Sequence, residues 1–320
     1  MKKLTRKLFL SVCTLAICAV TLVSTTFAWY TTNSEVSASA VTGTSSDAST
    51  DDSILIATSI DKTVNNWSEF SNSVTITENS YLKVGTDLEP LTFNSKGALD
   101  NQANALSNTE SAAHTNASGA YILIPLKFKT GANDSNAVNI YLKSLSITNT
   151  AEEALAKFDG IVEAGGVEKG VQYSIDVCYA INMIVAEDQN PSPDNKVYDL
   201  GTQVTENATA DPTIDGSSTK YGTGGAVEYY NAVMGLDGTT GKEKIVPETD
   251  TRYAFDSTGN ATQVGTIADP SQDQYVIVYF YFYLDGWDLD CYDACRGQSF
   301  SISLEFTTDE TKALKSTQRS

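Results

Sequence analysis

Four aspartates crowd one short stretch near the C-terminus, Asp285, Asp288, Asp290 and Asp293, set around Gly286 and Trp287. Carboxylate oxygens at that density suit a hard cation, Ca²⁺ above all, which takes about 6–8 oxygen ligands. The spacing is not that of an EF-hand, and Asp/Gly clusters are also turn formers. The stretch therefore reads either as a calcium site or as an acidic turn. Trp287 among these acids reads as a packing lid or as a partner contact. Cys291 and Cys295 are spaced to close a small disulfide loop in an oxidising compartment. Cys178 reads as a small buried apolar residue, with a bridge to one of that pair as the alternative. A C-x₃-C pair without a second pair of ligands does not make a zinc site.

Other chemistry finds little support. The chain has one histidine, His114, in a polar loop, so a Ser/His/Asp triad would have to be built on that residue. No His-Glu-x-x-His and no glycine-rich phosphate loop occurs. Paired carboxylates hydrolyse glycosides, but 40 acidic residues offer no way to single out a pair. The expectation is a protein that is not an enzyme, with calcium as the one cofactor to test. A net charge of −19 argues against nucleic acid, whose binding depends on cations that neutralise phosphate.

These residues need a compartment and a scaffold. Lys2, Lys3, Arg6 and Lys7 precede an uncharged stretch from Leu8 to Tyr30, with no acid before Glu35. That is the layout of a signal peptide over residues 1–28, cut between Ala28 and Trp29 after the small residues Thr26 and Ala28. The same stretch is long enough to remain as an uncleaved anchor, since a transmembrane helix needs ~20 apolar residues. Either way the remainder is expected in the secreted fraction or on the cell surface, touching membrane only through that segment. It is also more acidic than the whole chain, because the segment holds four cations and no acid.

Residues 29–52, rich in Ser, Thr and Ala, read as a flexible leader. Strands are expected at Ser53–Ser59, Val74–Thr77, Tyr81–Val84, Tyr121–Thr130 and Val138–Leu142, with Pro125 marking an edge or a bulge. Helix formers at Ala151–Phe158 predict a short helix. Val171–Ala186 reads as one long central strand with a bend. Residues 187–269, rich in Gly, Asp, Thr and Asn, read as decoration rather than as part of a core. Gln274–Asp285 and Phe300–Phe306 are rich in β-branched and aromatic side chains or alternate strictly, and close the pattern. The sum is one all-β domain over residues 53–308, a jelly-roll or Greek-key β-sandwich with long loops, followed by a polar tail at 309–320.

Two segments carry a family resemblance. The hairpin YVIVYFYFYLDGWDLDCYDACRGQSFSISLEF, with the early ILIATSIDKTVNNWSEF, resembles exported Gram-positive proteins in the neighbourhood of TasA and camelysin. The stretch Thr26 to Thr32 is similar to signal-peptide exits processed by the SipW-type peptidase. Asp285 stands where that group commonly has Glu. The resemblance implies a jelly-roll fold and a structural role at the cell surface or in the extracellular biofilm matrix, partnered by other copies of the chain or by other matrix proteins. The metalloprotease activity ascribed to camelysin finds no zinc motif here. One route to assembly is donation of the leader as an extra strand to a neighbour's open edge. The competing reading is an extracellular carbohydrate- or ligand-binding module that displays Tyr221, Tyr229, Tyr230 and Trp287.

Overall fold

A computed structural model of the chain describes residues 37–45, 54–59, 66–76, 91–93, 99–101, 121–130, 136–150, 157–174, 176–187, 195–204, 225–240, 242, 244, 252–272, 274–285, 288, 290–291 and 298–319. The signal segment with Ala28 and Trp29, the strand expected at Tyr81–Val84, and His114, Tyr221, Gly286, Trp287, Asp293 and Cys295 lie outside these residues. Among the described residues, no helix is long and apolar enough to cross a membrane.

The strands follow in chain order as β1 (Ser37–Ser45), β2 (Ile54–Thr58), β3 (Ser73–Ile76), β4 (Leu91–Phe93), β5 (Leu99–Asn101), β6 (Ile122–Thr130), β7 (Val138–Asn149), β8 (Lys157–Asp159), β9 (Gln172–Ser174), β10 (Ile181–Ala186) and β11 (Val197–Asp199). A helix, α1 (Gly225–Val233), precedes β12 (Arg252–Ala261), β13 (Gln263–Ile267), β14 (Val276–Leu284), β15 (Ser299–Thr307) and β16 (Lys315–Arg319). Seven strands form one sheet in the order β16-β12-β11-β10-β14-β6-β2, and five form another in the order β13-β7-β15-β1-β3. Two short pairs, β4 with β5 and β8 with β9, stand apart from both.

The two large sheets share one apolar interior. Alternation along β14 turns Val278, Phe280, Phe282 and Leu284 inward, and along β15 it turns Phe300, Ile302, Leu304 and Phe306 to meet them. Phe306 reaches across the interface, its ring 4.8 Å from Phe128 in an edge-on arrangement and 5.7 Å from Phe280. The opposite face of the seven-stranded sheet is buried as well: Tyr121, Leu123, Ile184, Val197, Tyr279 and Tyr281 belong to a second apolar cluster. β14 is therefore covered on both sides, which is why its sequence is apolar at nearly every position.

Several expectations need correction. The leader at 29–52 is not without regular structure, because Ser37–Ser45 forms β1 inside the five-stranded sheet. Its small polar residues gave no apolar alternation, yet backbone pairing to both neighbours needs none. The segment 187–269 is not decoration, since β11 and β12 extend the seven-stranded sheet and β13 edges the other. Its core residues, such as Ala254, Phe255, Val264 and Ile267, are buried but too sparse to form a run. The polar tail contains β16, whose composition (KSTQR) suits an edge strand paired on one side only, with β12.

Val171–Ala186 is broken rather than continuous. Asp176 caps a 3-10 turn at Val177–Ala180, its Oδ1 accepting from the Cys178 amide at 2.9 Å and from Asn149 Nδ2 at 3.0 Å. The end of the helix expected at Ala151–Phe158 is extended, as Lys157 and Phe158 begin β8; residues 151–156 lie outside the described set. Pro125 is at no sheet edge, because β6 runs between β14 and β2. Thr58 pairs with Leu126 as the last contact of that ladder, so the missing N–H of Pro125 removes no bond to β2.

Candidate functional site

Strand pairing on the outer face of the seven-stranded sheet gathers a set of polar residues. Asn182 on β10 stands directly opposite Tyr283 on one side and Asp199 of β11 on the other. Residues opposite one another in a sheet point to the same face, so these three form a row. Asp285, two residues beyond Tyr283, keeps the same side, and its amide donates to the Ala180 carbonyl at 2.8 Å. Arg252 on β12 is opposite Val197, which shares its face with Asp199. Beyond β14, the Asp288 amide donates to the Asp285 carbonyl at 3.1 Å and the Cys291 amide to the Asp288 carbonyl at 3.2 Å.

The result is a buried polar cluster above the aromatic outer face. Asp285 is 0% exposed, Asp290 1%, Asp288 2%, and Asp199 and Arg252 4% each. Arg252 donates from Nη2 to Asp285 Oδ2 at 2.9 Å and from Nη1 to the Tyr283 hydroxyl at 3.2 Å. Asn182 Nδ2 donates to the same Asp285 Oδ2 at 2.6 Å. Backbone amides serve two other carboxylates: Gly201 N–H donates to Asp199 Oδ1 at 2.8 Å and Asp290 N–H to Asp288 Oδ1 at 2.9 Å. Asn182 Oδ1, equally buried, meets no hydrogen-bond donor.

Among the described residues, four carboxylates share this interior with one buried guanidinium, and their protonation reflects it. Burial pushes Asp199 up to about 7, against the lowering effects of the Gly201 amide and Arg252. Burial also holds Asp288 well above the usual carboxylate range, and the neighbouring Asp290, Asp199 and Asp285 push it the same way. The cluster is rich in hydrogen-bond acceptors, and burial disfavours the charged forms of Asp199 and Asp288 within it.

Of the aspartates singled out by sequence, the fold brings Asp285, Asp288 and Asp290 into one cluster, while Asp293 lies outside the described residues. Among the described residues, no group of three or more His, Cys, Asp or Glu side chains could hold a metal ion. Cys178 and Cys291 are both buried. Asn182, Asp199 and Arg252 were not legible as site residues, because each comes from a different strand and only the register unites them. The period-two pattern of Asn182 and Ile184 against Tyr281, Tyr283 and Asp285 was the available signal.

The tyrosines proposed for ligand display are placed otherwise. Tyr230 is buried in α1, and the half-buried Tyr229 accepts a hydrogen bond from the Ile161 amide at 3.1 Å while its ring meets Phe158 at 5.8 Å. Gly165, at a φ of 61°, lets the neighbouring turn approach the start of α1, where a Cβ would lie 2.0 Å from the Gly225 carbonyl oxygen. A shallow cleft of about 520 Å³ lies elsewhere, between Lys143, Phe255 and Lys315. Lys143 is already paired with Glu305 at 3.0 Å there. Comparison with family models, with curated proteins and with solved structures returns no match to this chain.

Proposed function

We propose that this chain is an exported structural subunit of the cell surface or extracellular matrix, a jelly-roll-type sandwich that joins to further copies of itself by exchanging β1. The supporting observation is the place of β1 in the five-stranded sheet. It runs parallel to β15 from Ser37 opposite Ser299 to Ser45 opposite Phe306, and antiparallel to β3 from Val41 opposite Ile76 to Thr44 opposite Ser73. Taking β1 away leaves the long edge of β15 open along strands whose inward residues are fully buried, which is the slot that strand addition fills.

β1 is suited to exchange for two reasons. Its partner β15 lies at the other end of the chain, so closing the pair within one molecule costs loop entropy that grows with the length enclosed. Its seat is also shaped for a small residue: a Cβ at Gly43 would meet Val74 Cγ2 at 3.3 Å and the Phe306 ring at 3.7 Å. The inward packing of Tyr229 and Tyr230 weighs against the ligand-binding alternative.

The test compares residues 29–320 with a variant lacking 29–45, by size-exclusion chromatography with light scattering and by electron microscopy. The expected result is a polymerising parent and a variant that does not polymerise but captures an added SASAVTGTS peptide. A monodisperse parent, or a variant that polymerises equally well, would contradict the proposal.

A further inference from the structure

The two ends of β14 differ on the outer face of the sheet. Asp285 follows its last residue, and Tyr275 precedes its first. At the Tyr275 end, Lys127 of β6 stands opposite Ile277 on one side and Ala57 of β2 on the other. Ile277 packs against the outer apolar cluster, so Lys127 belongs to that face, and Lys129, two residues on, keeps it. Beyond β2 the chain returns along the sheet edge. The Ile56 and Ser71 amides each donate to the other residue's carbonyl, at 2.8 and 2.9 Å, and the Ser68 amide donates to the Thr58 carbonyl at 2.9 Å. Trp67 and Phe70 belong to this returning stretch. Lys127 Nζ lies 3.6 Å from the centre of the Tyr275 ring and 5.2 Å from that of Trp67, and Lys129 Nζ lies 6.0 Å from that of Phe70.

We infer that this patch binds a short acidic sugar, a uronate-class residue at the end of a glycan, whose ring stacks on Tyr275 beside Trp67 while its carboxylate pairs with Lys127. The inference does not depend on strand exchange. Tyr275 is 51% exposed although the Lys127 ammonium lies over its ring, which leaves apolar ring surface in water for a stacking sugar to cover. Among the described residues, no carboxylate pairs with Lys127. Ring contacts restrain an ammonium without engaging its N–H groups in hydrogen bonds to an acceptor, so it stays ready for an anion.

The size of the patch selects a sugar over a protein. Among the described residues, Tyr275 is the one strongly exposed large apolar side chain here, the others, Ile161, Val171 and Val233, lying near β8, β9 and α1. A stable protein interface needs about 1,000 Å² around an apolar core, whereas a sugar needs one or two ring surfaces with polar neighbours. Charge limits the length of the ligand. The chain carries −19 overall, but at about 0.15 M salt fields are screened beyond about 8 Å. A single sugar carboxylate therefore meets the local lysines, while a long polyanion extends over the acidic surface and is repelled.

The experiment titrates residues 29–320, which hold every described strand, with tri-galacturonate, with its methyl ester and with a thymidine oligonucleotide, by calorimetry and saturation-transfer NMR. Assembly is followed in parallel by light scattering. Tri-galacturonate is expected to bind, and more tightly than its ester. Tyr275→Ala should weaken that binding by about tenfold and leave assembly unchanged, because the residue is half exposed and precedes the strand. Lys127→Gln should bring the acid down to the level of the ester, and Trp67→Phe, which keeps a ring, should retain most of the affinity. Should Tyr275→Ala fail to fold, Lys127→Gln decides through the same ratio of acid to ester. The inference is overturned if tri-galacturonate gives neither heat nor saturation transfer, if acid and ester bind the parent alike, or if a folded Tyr275→Ala binds as well as the parent. An oligonucleotide that binds as tightly as the sugar would overturn it too, by reducing the patch to a general anion surface. So would loss of polymer in Tyr275→Ala, which would assign the patch to contact between copies.

Discussion

The two faces of β10 and β14 are built from the same short stretches of sequence and behave oppositely. Inward, Ile181 and Met183 meet Phe280, Phe282 and Leu284 in an all-apolar interior. Outward, one residue out of phase, Asn182 meets Tyr283 and Asp285, with Asp199, Arg252, Asp288 and Asp290 around them. Both faces are equally dry. The inner face is held by area removed from water and tolerates any filling of the right shape. The polar end of the outer face, beside that face's own apolar cluster, is held by pairing, and each member matters through what its loss leaves behind. Apolar filling and polar pairing thus sit on opposite sides of one sheet.

Truncation of the inner face should have the largest effect. Phe306→Ala removes the ring that contacts both Phe128 and Phe280 and should cost about 3–5 kcal/mol, read from urea unfolding. Arg252→Met should come close to this, because it strands Asp285 as an uncompensated buried charge; breaking such a pair costs on the order of 3–5 kcal/mol. The sharper comparison is Arg252→Met with Asp285→Leu. The double variant should recover much of the loss, whereas no second substitution on the outer face should rescue Phe306→Ala.

Acidity distinguishes the faces next. Asp199 and Asp288 have folded-state pKa values raised above their unfolded ones, Asp199 to about 7. Their protonated forms therefore favour folding fully below the ordinary carboxylate pKa of about 4, and that contribution is lost as pH rises through about 7 for Asp199. The urea midpoint should fall across that window, and Asp199→Asn should flatten the fall. At the smallest end, the half-exposed Lys143–Glu305 pair should change stability by less than about 1 kcal/mol when either side is removed, since exposed ion pairs contribute little.

The same contrast explains what the sequence made legible. β2, β6, β7, β14 and β15 announced themselves because each turns several large apolar residues toward the shared interior, and β3 contributes Val74. β1, β12, β13 and β16 did not, because their sequences carry few large apolar residues in alternation and backbone pairing does not show in composition. The break at Asp176 was hidden for a different reason: Asn149 and Gln298, both remote in sequence, stabilise it, with Gln298 Oε1 accepting from Asn149 Nδ2 at 2.6 Å and from the Val177 amide at 3.1 Å. In the site, the aspartates after β14 were legible as a local cluster. Asn182, Asp199 and Arg252 join them only through register, which local composition does not encode.

The most direct test of the central claim asks which molecule supplies β1. Thr42 stands opposite Ser303 in the parallel pairing with β15, so Thr42→Cys with Ser303→Cys places a thiol on each side of that ladder. Polymer grown from an equal mixture of isotopically heavy and light chains is oxidised, digested and read by mass spectrometry for the peptide linking positions 42 and 303. Strand exchange requires heavy–light links in abundance within the polymer. Links only between segments of the same isotope, or the lack of any polymer to oxidise, would contradict it.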